Sequence, residues 1–181
     1  MTSHSQPAPQ FVPPAEGTAV LLRQVTADDL PVFFRHQQDK EAVHMAAFTA
    51  KDPADHAAFM AHWKRILSDP DIVVRAIAHD GATAGHVMSY VEDGKPEVTY
   101  WLGRECWGRG LATRALVEFL RHHQPARPIY ARAAADNAAS IRVLIQCGFV
   151  LVGRSCGYAN ARGTEIEECL FRLGLPAPET V

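Results

Sequence analysis

The chain has 181 residues, 48% of them hydrophobic and 21% charged, with 18 Lys and Arg against 20 Asp and Glu for a formal net charge of −2. That length supports one substantial core, and the lack of a basic excess excludes a protein built to coat nucleic acid or an anionic membrane surface. No apolar run approaches the roughly 18–20 residues needed to cross a bilayer.

Residues 1–16 are rich in Pro, Ser, Gln and Ala. They read as a disordered or loosely docked lead-in and lack the basic-then-apolar order of an export signal. Cys106, Cys147, Cys156 and Cys169 are widely spaced, with no C-x-x-C pair and no metal-like Cys/His pairing. The thiols are therefore expected to be reduced, the protein cytoplasmic and the chemistry metal-free. A single domain is expected over residues 17–175, with 176–181 as a tail.

In chain order, the aliphatic and β-branched run Thr18 to Val25 predicts the first strand. Thr26 to Asp29 supplies a capping hydroxyl and early acids for a helix reaching Gln38. Asp52-Pro53 predicts a second helix start, and Phe59, Trp63, Ile66 and Leu67 place one buried face along it to Ser68. Ile72–His79, Ala84–Glu92 and Val98–Gly103 then form a three-strand antiparallel meander, because Asp80-Gly81 and Asp93-Gly94 are tight-turn dipeptides. A helix over Ala112–His123, a buried strand over Pro128–Ala133 and a helix over Asn137–Cys147 stopped by Gly148 follow. Phe149–Tyr158 and Glu165–Leu173 close the chain as two strands around the polar loop Ala159 to Gly163. The order βααβββαβαββ is mixed α/β and implies a central sheet covered by helices on both faces.

The chemistry concentrates in Glu97-Val-Thr-Tyr-Trp-Leu-Gly-Arg-Glu-Cys-Trp-Gly-Arg-Gly-Leu-Ala-Thr113. Here a strand runs through Gly108, Arg109 and Gly110 straight into a helix. Amides at a helix start lack intrahelical partners and carry the positive end of the dipole. Behind glycines they form a pocket for phosphate oxygens. No Lys-Ser/Thr follows, so the loop is not a Walker A, and Thr113 stands where a dinucleotide fingerprint needs Gly or Ala. A G-x-G turn alone is a weak signal.

A second segment, Ala135-Asp-Asn137-Ala-Ala-Ser140-Ile-Arg-Val-Leu-Ile-Gln-Cys147-Gly148-Phe149-Val150, adds specificity. Together the two segments resemble the paired motifs of the GCN5-related N-acetyltransferase (GNAT) superfamily, and the RimJ/RimL-like branch in particular. The motif match covers about residues 97–150, and the element order extends it to about 18–173. The resemblance implies a mostly antiparallel sheet of about seven strands flanked by about four helices. It implies acetyl-CoA as co-substrate, lying between splayed strands. The pyrophosphate would rest on the amides of Gly108, Arg109, Gly110, Leu111, Ala112 and Thr113. Main-chain groups around Leu102 would meet the pantetheine arm and thioester, and Asn137 would hydrogen-bond that arm. Trp107 departs from the Gln or Arg that often opens the family's loop, though an aromatic there is common in the RimJ/RimL-like branch.

Acetyl transfer to an amine requires loss of the ammonium proton, polarisation of the thioester carbonyl and stabilisation of the departing thiolate. Glu97 matches the position where several superfamily members place a general base; the plainer reading is a solvated strand-end Glu. Many relatives use a helix Tyr as the acid, but Leu144 occupies that position. Ser140 is similar to the Ser given that task in RimL-like enzymes; the plainer reading is a hydroxyl bonded to its own helix backbone. Tyr158 is an outside candidate for the same role. Cys147 reads as packing, while Cys106 has no His linked to it in the sequence. His122-His123 suit a helix C-terminus, and His36, His44, His56 and His62 read mostly as solvated side chains, with the alternative that one of them lines the acceptor site. Arg109 is the preferred phosphate partner, with Arg104, Arg114 and Arg142 left open.

The expected activity is transfer of an acetyl group from acetyl-CoA to a primary amine, on a protein N-terminus or a small molecule, by direct attack in a ternary complex. The alternatives are a non-catalytic acyl-CoA-binding or sensing domain, or transfer of a longer acyl group. Neither nucleic acid nor membrane is an expected partner, and a homodimer is compatible with the resemblance. Acceptor choice is expected to lie in the first two helices and the final loop.

Overall fold

The computed structural model describes residues 19–174, so the lead-in expected over 1–16 and the tail expected over 176–181 lie outside the described residues. Seven strands are present among them: β1 (Val20–Arg23), β2 (Val73–His79), β3 (Ala82–Glu92), β4 (Lys95–Leu102), β5 (Ile129–Ala134), β6 (Val150–Ala159) and β7 (Thr164–Leu173). The helices are α1 (Leu30–Gln38), α2 (Lys40–Ala46), α3 (His56–Ser68), α4 (Leu111–His122) and α5 (Ala138–Gln146). The strands form one sheet in the order β1-β2-β3-β4-β5-β7-β6, antiparallel throughout except where β4 meets β5.

The meander forms as its turn residues require. Asp80, Gly81, Asp93 and Gly94 all take positive φ, 50°, 78°, 49° and 73°, the signature of two-residue hairpin turns whose twist matches the strands. Adjacent β2 and β3 residues then point to opposite faces. Ile77 and Val87 pack with Leu116 and Phe119 of α4 and Leu144 of α5, whereas Val74, Ala76 and Met88 pack with Phe33 of α1 and Phe59, Trp63 and Ile66 of α3.

One helix and several element bounds differ from the sequence reading; β4, for example, begins at Lys95 rather than Val98. The fifth helix, α2, was not expected; the Asp39 side chain accepts from the Glu41 and Ala42 amides and starts it immediately after α1 ends. In α3 the cap is Asp55, whose carboxylate accepts from Ala58 N at 2.9 Å. Asp52 instead makes a local turn to Ala54 N, so the helix starts at His56. Leu67, expected on the buried face, is 47% exposed, and the stripe is Phe59, Trp63 and Ile66.

The entry to α1 carries a buried ion pair. Asp29 is 1% exposed and accepts from Arg23 at 2.6 and 2.7 Å, from Thr83 Oγ1 at 2.7 Å and from the Thr26 amide at 2.8 Å. Burial alone would push its carboxyl up, but these donors outweigh it and hold the group well below the usual carboxylate range. A carboxylate depressed in the folded state contributes stability at pH values above its unfolded pKa, near 4, and loses it as pH falls through the folded value. Asp29→Asn is expected to cost about 2 kcal/mol near neutrality, below the full cost of a broken buried pair because Arg23 is 35% exposed. Urea melts from neutral to acid pH check this. The variant's stability should converge on that of the parent as pH falls, and a constant gap would remove the ion pair as the cause.

Among the described residues no helix is long and apolar enough to cross a membrane, and no group of three or more His, Cys, Asp or Glu could hold a metal ion.

Candidate active site

The sheet is open at its centre. β4 and β5 run parallel and share one backbone bridge, Glu97 with Tyr130. β3 stays paired with β4 as far as Leu102, and β7 with β5 as far as Ala134. Past Glu97 the two strands therefore diverge, leaving main-chain groups of both along a gap, which is an opening a ligand with amides of its own can enter as a strand would.

The glycine loop stands at the end of β4. Gly108 and Gly110 each take φ 71°, and a Cβ built on either would meet nothing within 4 Å. Gly110 is the N-cap of α4, and no side chain caps that helix start. The amides of Leu111, Ala112 and Thr113 have no acceptor within the helix and carry its positive end beside these open glycines. This cradle, which Cβ atoms would fill, fits a pyrophosphate. Trp107 closes the loop from below: its indole N–H donates to Leu102 O at 3.1 Å. That bond uses one lone pair of the carbonyl expected to meet the cofactor arm.

Arg109 folds towards the β2–β3 turn, where its guanidinium donates to His79 Nε2 at 2.7 Å and lies 3.7 Å from Asp80. His79 Nδ1 is 3.3 Å from Ala19 O, and its Nε2 also lies 3.0 Å from Asp80 Oδ2. Arg109 remains 44% exposed. Of the other arginines, Arg104 is committed to Asp39 at 2.8 Å and Glu41 at 3.0 Å, which pins the start of α2 rather than a phosphate.

On α5, Asn137 caps the helix by accepting from Ser140 N at 3.0 Å, and its Nδ2 donates to Met45 O at 3.0 Å. Its amide keeps one further N–H. With the cap made by Asn137, the Ser140 hydroxyl is free of that duty. It lies 2.9 Å from the hydroxyl of Tyr100. Burial pushes the Tyr100 phenol up to about 12. Tyr100 stands on β4 within the diverging stretch and was not singled out by sequence reasoning, although it lies inside the quoted motif. Tyr158 is on edge strand β6, opposite Glu165 and 61% exposed.

Glu97 is not a solvated strand end; it is 3% exposed. Arg132 Nε lies 3.0 and 3.2 Å from its two oxygens, with NH2 at 3.0 Å. The same guanidinium reaches Glu168 at 3.4 Å. One cation thus holds two carboxylates, one from each side of the gap. Glu168 is pushed up by burial, against the pull of Arg132.

On the same face as Glu97, a cavity of about 630 Å³ is lined by residues that include His62 and Ile66 of α3, Asp69 and Asp71 beyond it, and Met88 and Tyr90 of β3. His86 and Thr99 also line it, and among the described residues no Lys or Arg does. Burial depresses His86 to about 3, so its imidazole is neutral, and among the described residues its Nδ1 has no hydrogen-bond partner. The final loop docks close by: Asn160 donates to Thr49 O at 2.7 Å, and Arg162 to His44 O at 2.7 Å and Asp136 at 2.9 Å. His36, expected in solvent, is 6% exposed. A Cβ on Gly103 would strike its ring, so the glycine admits it.

The cysteines do not compose a thiol nucleophile. Cys106 is buried, and burial pushes its thiol up. Cys147 donates weakly to Thr113 O at 3.7 Å and is pushed up to about 12 by burial. Both stay protonated near neutral pH.

Comparison with known proteins agrees with this geometry. A sequence family described as "Acetyltransferase (GNAT) domain" matches residues 19–150. The uncharacterized N-acetyltransferase p20 of Bacillus licheniformis is 26% identical over 161 residues, 84% of this chain and 90% of that protein. Among solved structures, the microcin C7 self-immunity acetyltransferase MccE in complex with acetyl-CoA and AMP superposes with a TM-score of 0.73 at 16% identity, covering 86% of this chain and 92% of that one. Mycobacterium smegmatis RimJ in complex with CoA-disulfide has a TM-score of 0.69 at 22% identity, covering 85% and 81%.

Proposed function

Because the chain belongs to the GNAT acetyltransferase family, we propose that it moves an acetyl group from acetyl-CoA to a primary amine by direct attack in a ternary complex. The observation that carries this reading is the coincidence of an uncapped α4 start behind two open glycines with a strand gap closed by one backbone bridge. The amides of Gly108 to Thr113 take the pyrophosphate oxygens. Arg109 has room to turn from His79 towards them. Main-chain groups of Leu102 and the spare N–H of Asn137 hold the pantetheine arm in the gap, which presents the thioester to the face bearing Glu97. MccE, seen with acetyl-CoA, and RimJ, seen with CoA-disulfide, support a CoA-type donor on this fold.

An alkylammonium near pKa 10 must lose a proton before its nitrogen can attack. Glu97 serves as the accepting carboxylate through water, its oxygens retaining lone pairs beyond those given to Arg132. Arg132 and Glu168 fix its orientation. The thiolate that leaves is met by the Ser140 hydroxyl.

The acceptor enters through the cavity beside Thr99. Asp69 and Asp71 with no lining cation favour a cationic amine. Thiol release from acetyl-CoA, measured with cationic, neutral and anionic amines and with peptides bearing free N-termini, tests the proposal. Cationic acceptors should show the highest kcat/KM. Acetyl-CoA binding with no turnover of any amine would turn the reading towards a sensing domain, and absence of both binding and turnover would end it.

A further inference from the structure

The family resemblance leaves an unfilled role, since Leu144, buried in the core, stands where many relatives carry a helix tyrosine. The fold nevertheless brings a phenol to the first turn of α5, from the strand below. Tyr100 Oη lies 2.9 Å from Ser140 Oγ and 3.3 Å from the Ser140 carbonyl. The carbonyl is the poorer partner by distance, and inside a helix it already receives an amide four residues on. The phenol proton therefore belongs to the bond with Oγ. Among the described residues the one bond recorded for Ser140 Oγ is that with Tyr100, so with the phenol as donor the serine's own proton points away from Tyr100.

We infer that Tyr100 is a positioning residue for thiolate departure: its hydroxyl donates to Ser140 Oγ and so aims the Ser140 hydroxyl proton into the β4/β5 gap, at the leaving sulfur. The inference rests on the proposed acetyl transfer. As the carbon–sulfur bond breaks, its electron pair goes to sulfur, and the Ser140 O–H hydrogen-bonds that charge. The nitrogen gives up two protons on going from ammonium to amide, both through water on the Glu97 side; one equivalent is returned by water to the thiolate and the other is released to solvent. Tyr100 keeps its proton throughout, in accord with a buried phenol pushed up to about 12. A donor that never ionises holds the serine in one orientation over the whole working pH range. Two hydroxyls in series are also more strongly polarised than one.

A double-mutant cycle on the full chain tests this, with kcat and KM for acetyl-CoA measured in Tyr100→Phe, Ser140→Ala and the double variant. Tyr100→Phe should lower kcat about tenfold, the scale of one hydrogen bond to a developing charge, with KM for acetyl-CoA and Tm close to the parent's. Ser140→Ala should lower kcat by at least as much. In the Ser140→Ala background, Tyr100→Phe should change kcat by less than about twofold, because its route to the sulfur is gone. Full additivity, or an effect of Tyr100→Phe confined to KM and Tm, would show packing alone and overturn the inference. Ser140→Ala at the parent's kcat would overturn it whether or not Tyr100→Phe folds. A parent enzyme that turns over no amine would instead overturn the acetyl-transfer reading, so the two failures are distinguishable.

Discussion

Replacing Glu97 by Gln is expected to lower turnover roughly 100-fold or more while leaving the dissociation constant for acetyl-CoA within about twofold, the range for removing a positioned base. Gln keeps the volume and one carbonyl oxygen for Arg132, and Arg132 keeps Glu168 at 3.4 Å. The ion-pair row therefore shortens without collapsing, and Tm should fall only modestly. The pH dependence separates a base from a strut. Near neutral pH almost all of an alkylamine is protonated, so an enzyme without a base waits for the rare free amine. The ratio of parent to variant kcat/KM should shrink as pH rises towards 10, where solution has done the deprotonation already. Steady-state thiol release across that range is the measurement; a ratio flat with pH would reduce Glu97 to a structural partner of Arg132.

Gly110→Val is the second large effect, and it should fall on binding rather than on folding. At φ 71° a β-branched side chain is strained by about 1–2 kcal/mol. Its methyl groups would also enter the space beside the α4 start, where among the described residues nothing lies within 4 Å of a Cβ at this position. Losing several charge-assisted bonds to phosphate should raise the acetyl-CoA dissociation constant at least about 100-fold. Gly94→Val is the matched control: it bears φ 73°, has equally open surroundings and lies in the β3–β4 turn. Calorimetric titration with acetyl-CoA should separate the two variants even if their melting temperatures drop together. An equal loss of affinity in both would trace the effect to backbone strain and remove the loop from phosphate binding.

Short-range chemistry made part of this legible from sequence. The Asp-Gly turns, the glycine-to-helix start at Gly110 and the stop at Gly148 are decided by residues within a few positions of one another. Helix α2 was not, because Asp39 both follows the last residue of α1 and caps the next helix, so the helical pattern has no visible break. Asp52 and Asp55 are equally good caps on paper; the choice belongs to the turn that Asp52 makes with Ala54. The placement of β7 between β5 and β6 is tertiary and leaves no local trace. In the site, Glu97 could be named from its strand, but its partner Arg132 is 35 residues away, and Glu168 further still. His36 illustrates the same limit. Its burial depends on Gly103 leaving room, a contact across 67 positions that no helical periodicity contains.

The divergence of β4 and β5 has a consequence for cohesion. With one main-chain rung between them, β1–β4 and β5–β7 behave as two half-sheets sewn together by the helices and by side-chain stitches such as Arg132 to Glu97. A donor arm lying in the gap as proposed would supply further rungs, knitting the two halves more tightly when charged with substrate than when bare. Any ligand that binds only the folded chain raises its stability by RT ln(1 + [L]/Kd), about 2.7 kcal/mol at a hundredfold excess over Kd. The stability of this fold is thereby linked to its saturation with acyl donor, and the protein's lifetime in a cell should rise with the supply of that donor.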